Sequence, residues 1–236
     1  MSATLEARAL QVTQGDMGFI EAFSALVQDE LDRRKSKQLE LRYTLSGLTE
    51  RKTLNEFDWG FNSKVPRRDI LELGVCKFIE TREDALFIGA PGTGKSHCAK
   101  AIALNAIIQG YSVFYREAHE LLPEIHQARE LRYYSKLKTQ IKQAQLLVLD
   151  ELFLRKLPAD TCDEITEIIM NRHEKGSTII TSNRPIEDWG KLLGDVVAVA
   201  PMLDQIMYHR HLLKFEGKSW RLKEASSRLA RGRANV

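Results

Sequence analysis

The sequence predicts an α/β protein built around a parallel sheet with helices on both faces. The middle of the 236-residue chain alternates short apolar segments with longer segments of helical periodicity. Near-continuous apolar strands are typical of parallel sheets covered on both faces. A glycine-rich loop lies between one such strand and the next helix, and an acidic pair ends another strand. Together these observations predict a nucleotide site at the carboxyl edge of the sheet.

Helical segments precede the sheet. Apolar residues recur at spacings of three to five from Phe19 onward, so we predict an amphipathic helix over residues 19–45 with a charged continuation. Residues 46–66 mix glycine, asparagine, aspartate and aromatic side chains without a period, which predicts an irregular connector packed on the next domain. Residues 67–80 are predicted to form a further helix.

Five strands and two clearly bounded helices follow. Residues 95–110 predict a helix that ends at Gly110, and residues 160–175 predict one that stops at Gly176. A basic helical segment follows the second strand. The predicted strands cover residues 85–89, 112–118, 146–152, 177–183 and 211–217.

The loop G-A-P-G-T-G-K-S at residues 89–96 fits the phosphate-binding pattern G-x-x-x-x-G-K-[ST]. Glycines let successive backbone N–H groups face phosphate oxygens, and the positive end of the following helix favours the same anions. We expect Lys95 to reach the β- and γ-phosphates and the Ser96 hydroxyl to coordinate Mg²⁺. The loop therefore predicts ATP as the ligand. The expected nucleotide-binding residues are Gly89, Ala90, Pro91, Gly92, Thr93, Gly94, Lys95, Ser96 and His97.

Polar residues also end the third and fourth predicted strands. The segment LLVLDE brings Asp150 and Glu151 to the edge where such sheets bind ligands. We expect Asp150 to hold Mg²⁺ through water and Glu151 to act as general base toward the attacking water. Asn183, after STIITS, is expected to contact the γ-phosphate or position that water. Solvated acids at a strand end and an ordinary turn asparagine remain the structural alternatives.

The composition indicates a soluble globular protein, and the scattered cysteines indicate a cytosolic compartment in which thiols stay reduced. No apolar run approaches the roughly 20 residues that span a bilayer, and the N-terminal segment lacks the apolar core of a signal peptide. The three cysteines, Cys76, Cys98 and Cys162, are scattered without a C-x-x-C pair. The formal net charge is +3, but six lysines and arginines against one glutamate lie in residues 218–236.

Longer blocks of sequence resemble a known family. The segments KTLNEFDWGF, GAPGTGKSH, LLVLDEL, IIMNRHEKGSTIITSNRPIEDWGKLLGD and MLDQIMYHRHLLKFEGKSWRLKE resemble the IstB-like transposition helper ATPases. These are AAA+ proteins related to DnaC-type helicase loaders. The resemblance runs from about Phe19 to Glu224. It implies a five-stranded parallel sheet, a small N-terminal helical domain and no large C-terminal lid. We accordingly predict an N-terminal helical domain and connector at 1–60, an ATPase core at 61–217 and a basic tail at 218–236.

The resemblance also implies a function and partners. Family members assemble on double-stranded DNA as homo-oligomers with ATP, deform the duplex and present it to a partner transposase. The implied location is the bacterial cytoplasm, at the nucleoid. Because a water-activating base lies beside the Mg²⁺ ligand, the residues favour hydrolysis used as a switch.

One residue departs from the family pattern. Where relatives read M-L-D-R, this chain has Gln205 after Met-Leu-Asp. That arginine is the expected finger toward the neighbouring subunit's γ-phosphate, and its loss can cost roughly 10³–10⁵ in hydrolysis rate. Arg210 and Arg172 are the nearby replacement candidates, although neither occupies the matching position. Slow hydrolysis or a stable ATP-bound assembly is therefore one expectation.

Basic residues interleaved with tyrosines lie between the second and third predicted strands. We predict that they contact the phosphates of duplex DNA, independently of base sequence and with strong salt dependence. A solvated helix face is the alternative. The candidates are Arg129, Arg132, Lys136, Lys138 and Lys142.

Three other functions remain open from sequence. A DnaC-like replicative helicase loader would bind a helicase rather than a transposase. A small-molecule phosphotransferase would be a monomer with an acceptor pocket, which the Asp150–Glu151 pair disfavours. A chaperone-like AAA+ module usually needs a lid domain for which few residues remain.

Overall fold

The computed structural model describes residues 2–154, 159–192 and 210–233. Their contacts divide the chain into two compact units, one up to Thr44 and one from Leu45 onward. The domain boundary predicted at residue 60 stays a prediction. No helix within the described ranges is long and apolar enough to cross a membrane.

The first unit consists of two helices. Helix α1 covers Ser2–Thr13, and α2 covers Phe19–Ser46 and so runs past the division between the units. Arg8 of α1 forms an ion pair with Asp29 of α2 at 3.1 Å, and Ala22 is buried. The helix predicted over residues 19–45 thus forms as α2. Its apolar residues at four-residue spacing, however, are 44–76% exposed (Phe19, Phe23, Val27 and Leu31).

The second unit holds a parallel sheet of five strands in the order β2-β3-β4-β1-β5. The strands are β1 (Asp84–Gly89), β2 (Val113–Glu117), β3 (Leu146–Leu152), β4 (Ser177–Ser182) and β5 (Arg210–Phe215). Each lies within two residues of its predicted bounds. Strands β3 and β4 are buried almost throughout, as their apolar runs predict for central strands.

Helices and short connectors surround this sheet. Before β1 lie a 3₁₀ turn at Leu54–Glu56 and helices α3 (Arg67–Gly74) and α4 (Lys77–Glu80). Between strands lie α5 (Lys95–Gln109), α6 (Ala118–Glu130), α7 (Tyr134–Gln143) and α8 (Ala159–Arg172). After β4 come a 3₁₀ turn at Ile186–Asp188 and α9 (Trp189–Leu192), and after β5 comes α10 (Trp220–Arg233).

One predicted element needs correction. The single helix predicted over residues 67–80 is two helices, because Cys76 takes a left-handed conformation (φ 67°) and its N–H bonds back to the Leu73 carbonyl. The basic tail predicted at 218–236 stays a prediction as a domain, and it contains the helix α10. Its Trp220 N–H donates to the Gly92 carbonyl at 2.9 Å.

Candidate functional site

The phosphate loop lies where the sequence predicts it, between β1 and α5. Gly92 and Gly94 adopt φ angles of 76° and 105°, a region that favours glycine. A methyl group added at Gly94 would come within 2.4 Å of the Phe57 ring. Glycine is thus needed at Gly94 both for its backbone conformation and for the close approach of the connector.

Lys95 opens α5 with its ammonium group turned into the loop. Its Nζ donates to the carbonyls of Gly89 at 2.8 Å and Ala90 at 2.9 Å, and the residue is only 5% exposed. Burial lowers the pKa of Lys95 to about 8, although the carboxylates of Asp150 and Glu151 oppose that shift. A buried cation without its own carboxylate contact is suited to receive an anionic ligand.

Asp150 and Ser96 connect the two predicted motifs directly. Ser96 Oγ donates to Asp150 Oδ1 at 2.9 Å, and Asp150 is 1% exposed. Hydroxyl and carboxylate oxygens are the hard ligands that Mg²⁺ prefers, usually together with waters. The residues present therefore fit a magnesium ion held between Ser96 and Asp150.

Two further hydroxyls hold the Asp150 carboxylate. Thr181 Oγ1 on β4 donates to Oδ1, and the Tyr115 hydroxyl on β2 donates to Oδ2 at 2.7 Å. The backbone N–H of Glu151 also donates to Oδ1 at 3.1 Å. Sequence reasoning missed Tyr115 and Thr181, because neither belongs to a motif and only strand register brings them to Asp150.

Glu151 leaves the strand in a strained conformation. Its φ is 55°, uncommon for a residue with a side chain, at an irregularity in the β3–β4 pairing. Its N–H is held by Thr181 Oγ1 at 2.9 Å. The Glu151 side chain lines the same cleft as Lys95 and Asn183. The structure therefore brings these three predicted residues together.

A third acid lies beside this pair. Glu117 ends β2 and pairs in register with Asp150 on β3. Burial raises the pKa of Glu117, and the charges of Glu151 and Asp150 raise it further. One ligand atom each of Glu117, His119 and Glu151 lies within 4.8 Å of the others. The carboxyl edge is thus strongly acidic, which favours cations accompanying a polyphosphate.

Arg221, in the segment predicted as a tail, also reaches the site. Its Nη2 lies 3.8 Å from Glu151 Oε1, and its side chain is 75% exposed. Exposed ion pairs at such distances contribute little stability. The importance of Arg221 is its position, because it places a guanidinium at the mouth of the cleft. Net charge in the segment gave no signal for this placement.

The cleft itself is large enough for a nucleotide, at about 530 Å³. The connector and the start of α10 form its outer wall and are fastened together by Asn62, which exchanges two hydrogen bonds with the Lys218 backbone. Phe61 and Trp220 meet edge to face at 5.0 Å. The lining residues are Arg51, Lys52, Glu56, Phe57, Asp58, Phe61, Asn62, Pro91, Gly92, Thr93, Gly94, Lys95, Ser96, His97, Glu151, Asn183, Trp220 and Arg221.

His97 lines the cleft but is also tied to the connector. Its Nε2 lies 2.9 Å from the Thr53 carbonyl, which can only accept, so that nitrogen carries the proton. The Phe57 ring packs edge-on against the imidazole at 5.4 Å. Besides its predicted contact with nucleotide, His97 therefore holds the connector through Thr53 and Phe57, a role that the motif did not reveal.

The replacement candidates for the finger lie away from the phosphate loop. Arg172 is 1% exposed, and its guanidinium donates to the carbonyls of Ile141, Ala144 and Ser177. Burial lowers its pKa to about 10. A buried guanidinium that holds the amino ends of two strands cannot reach another subunit, so Arg172 is removed as a finger candidate.

Arg210 begins β5, and Gln205 lies outside the described residues. Arg210 pairs in register with Asp84, at the amino end of the sheet, whereas the phosphate loop follows the carboxyl end of β1. Within one chain Arg210 is therefore on the opposite edge from Lys95. Its role toward a neighbouring subunit stays a prediction.

The basic segment predicted to contact DNA divides into two groups. Arg129 pairs with Glu164 and Lys138 pairs with Glu167, both on α8. These two cations therefore connect helices of the same chain. The other three are exposed and form no ion pair with any residue in the described ranges: Arg132, Lys136 and Lys142.

The fold and site define a class of protein. A phosphate loop after β1, an acidic pair on β3, a polar residue after β4 and a five-stranded parallel sheet make this a P-loop protein with the AAA+ fold. Solved structures support that class. The DnaC helicase loader matches with a TM-score of 0.54 and 23% identity, covering 67% of this chain and 98% of DnaC. AMPPCP-bound DnaA from Aquifex aeolicus matches with a TM-score of 0.60 and 21% identity over 78% of this chain and 56% of DnaA.

The particular family follows from sequence. The chain belongs to the IstB-like ATP-binding proteins, whose family model matches residues 1–228. A Geobacillus stearothermophilus protein named as an ATP-binding protein of insertion sequence IS5376 is 31% identical over 225 residues, 95% of this chain and 89% of that protein. Its counterpart of insertion sequence IS21 from Pseudomonas aeruginosa is 29% identical over 224 residues, 95% and 84% of the two chains. The family resemblance expected from the sequence is thus confirmed.

Proposed function

We propose that this protein is an ATPase that assembles on duplex DNA, remodels it and delivers it to a partner transposase. ATP hydrolysis is the switch that ends this assembly. The observation that carries the ATPase part of this proposal is the hydrogen bond between Ser96 and Asp150. It joins the phosphate loop to the acidic strand end, so one Mg²⁺-nucleotide complex would contact both.

Each side chain then has a role in hydrolysis. Lys95 would neutralise the β- and γ-phosphates, and Ser96 and Asp150 would hold Mg²⁺, which would supply positive charge against the charge that develops on the phosphates. Glu151 orients and deprotonates the attacking water, and Asn183 positions that water or the γ-phosphate. We expect Arg221 to turn from Glu151 toward the γ-phosphate, since its side chain is exposed and lines the cleft beside Glu151.

Transposition is the favoured context because the relatives are ATP-binding proteins of insertion sequences. The similarity covers most of their length and nearly all of this chain. A replicative helicase loader is the second candidate, favoured by the likeness of fold to DnaC. Copurification distinguishes them, since a transposase partner supports the first and a replicative helicase supports the second.

Glu151→Gln tests the hydrolytic role. We expect this variant to bind a fluorescent ATP analogue within about threefold of the wild type, because the amide keeps the shape of the side chain. Its hydrolysis rate should fall by about 10²–10⁴, the usual contribution of a general base. The measurement is steady-state phosphate release with duplex DNA present.

Two variants serve as controls for that experiment. Glu72→Gln changes an exposed residue of α3 that does not line the cleft, and should keep wild-type turnover. Lys95→Ala should lose nucleotide binding, because it removes the only buried ammonium of the loop. Undiminished hydrolysis by Glu151→Gln would contradict the proposed mechanism.

A further inference from the structure

The Asp150 carboxylate accepts four hydrogen bonds from described residues. Oδ1 accepts from Ser96, Thr181 and the Glu151 N–H, whereas Oδ2 accepts from the Tyr115 hydroxyl alone among the described residues. With 1% of Asp150 exposed, no bulk water replaces a lost donor. The orientation of this carboxylate therefore depends on Tyr115.

Strand register explains how Tyr115 reaches Asp150. Tyr115 pairs with Val148 on the neighbouring strand, and Asp150 lies two residues further along on the same face. That diagonal separation is within reach of an aromatic side chain. The Tyr115 ring is 2% exposed and lies under the Lys100 ammonium, 5.6 Å from the ring centroid, so packing fixes its position.

The tyrosine remains a hydrogen-bond donor under ordinary conditions. Its single O–H lies 2.7 Å from Asp150 Oδ2, which is therefore its acceptor.

We propose that Tyr115 is a positioning residue for magnesium, whose hydroxyl orients Asp150 so that Oδ1 faces Ser96 and the metal site. The proposal rests on the proposed function, in which Ser96 and Asp150 hold Mg²⁺ with the nucleotide. Partners that orient a metal ligand typically contribute 10–100-fold to metal affinity. Tyr115 would therefore set the Mg²⁺ concentration at which nucleotide binds tightly.

Tyr115→Phe removes only the hydroxyl and keeps the packed ring. A fluorescent ADP analogue should bind this variant with about wild-type affinity in EDTA, because no phosphate contact is lost. The Mg²⁺ concentration that half-saturates the metal-dependent gain in affinity should rise about tenfold. Because ADP is the probe, this readout does not depend on hydrolysis.

Tyr111→Phe is the matched control. Its hydroxyl donates to Glu80 at 3.0 Å on the surface and lies outside the cleft, so its Mg²⁺ titration should match the wild type. Thr181→Val, which removes the other hydroxyl on Asp150, should shift the titration in the same direction. Thr181→Val carries the test by itself if Tyr115→Phe does not fold.

The outcomes separate the two proposals. A wild-type Mg²⁺ titration for folded Tyr115→Phe, or for Thr181→Val where Tyr115→Phe does not fold, overturns the positioning role while leaving ATP binding intact. A wild-type protein whose nucleotide affinity does not respond to Mg²⁺ overturns the metal site of the proposed function itself.

Discussion

At the scale of single residues, burial decides the chemistry of the site. Lys95 and Asp150 are both nearly inaccessible, so their charges interact in a medium that screens them less than water does. Lys95 bonds to loop carbonyls that a bound phosphate would replace. Its pKa of about 8 in the ligand-free protein follows from that burial.

Nucleotide affinity should therefore fall as the pH rises through about 8. Lys95 must be protonated to bind phosphates, and the bound phosphates return its pKa toward the ordinary value. Binding then takes up a proton, and affinity should drop on the order of tenfold between pH 7.5 and 9. Titration with a fluorescent ADP analogue across this range measures the slope.

Lys95→Arg provides the comparison for the pH experiment. A guanidinium keeps its charge throughout this range, so the variant should lose the slope even if its affinity is lower. A wild-type affinity that is constant from pH 7.5 to 9 would show that Lys95 stays fully charged in the ligand-free protein.

At the scale of elements, strands were more predictable than their surroundings. The apolar runs gave strand positions within two residues, because β3 and β4 are buried almost throughout and even the edge strand β5 buries Leu213 and Phe215. Periodicity could not locate the break at Cys76, since buried apolar residues continue on both sides of it. It also could not show that Arg172 is buried, because the carbonyls it binds come from the ends of other elements.

Composition did not show how the C-terminal end contributes to the site. The six cations of residues 218–236 predicted a basic tail, and within that segment Trp220 and Arg221 line the nucleotide cleft. The signal that identifies them is three-dimensional: Asn62, 156 positions earlier, binds the Lys218 backbone through both atoms of its amide. Long-range contacts of this kind leave no trace in local periodicity.

Helix α7 provides a test of the predicted contact with duplex DNA. Lys136→Glu should weaken binding to duplex DNA and reduce the slope of log affinity against log salt by about 1 per lost phosphate contact. Lys136 is suited to this test because it is exposed and forms no ion pair within the described part of the chain. Fluorescence anisotropy from 50 to 200 mM salt measures both quantities.

Lys77→Glu is the charge-matched control, since Lys77 is exposed on α4 and lies outside the basic segment. It should leave the salt slope unchanged. Equal losses in the two variants would indicate a general effect of net charge, and the proposed contact of α7 with DNA would then be wrong.

At the scale of the whole molecule, the site is accessible from outside the chain. Arg221 and the acidic edge face the mouth of the cleft, while Arg172 is committed to the core. In an assembly with ATP between neighbouring copies, any arginine other than Arg221 that contacts the ATP would therefore come from outside the described site. From the sequence, Gln205 at the usual finger position predicted slow hydrolysis or a stable ATP-bound assembly, and which arginine acts toward the neighbouring subunit could not be read from one chain.

The most direct test of the account is the size of the protein with duplex DNA, measured by light scattering in a non-hydrolysable ATP analogue and in ADP. We predict a large complex only when duplex and ATP analogue are both present, and a smaller species in ADP or without DNA. A 27.0 kDa monomer under every condition would contradict the proposal that nucleotide controls assembly on DNA.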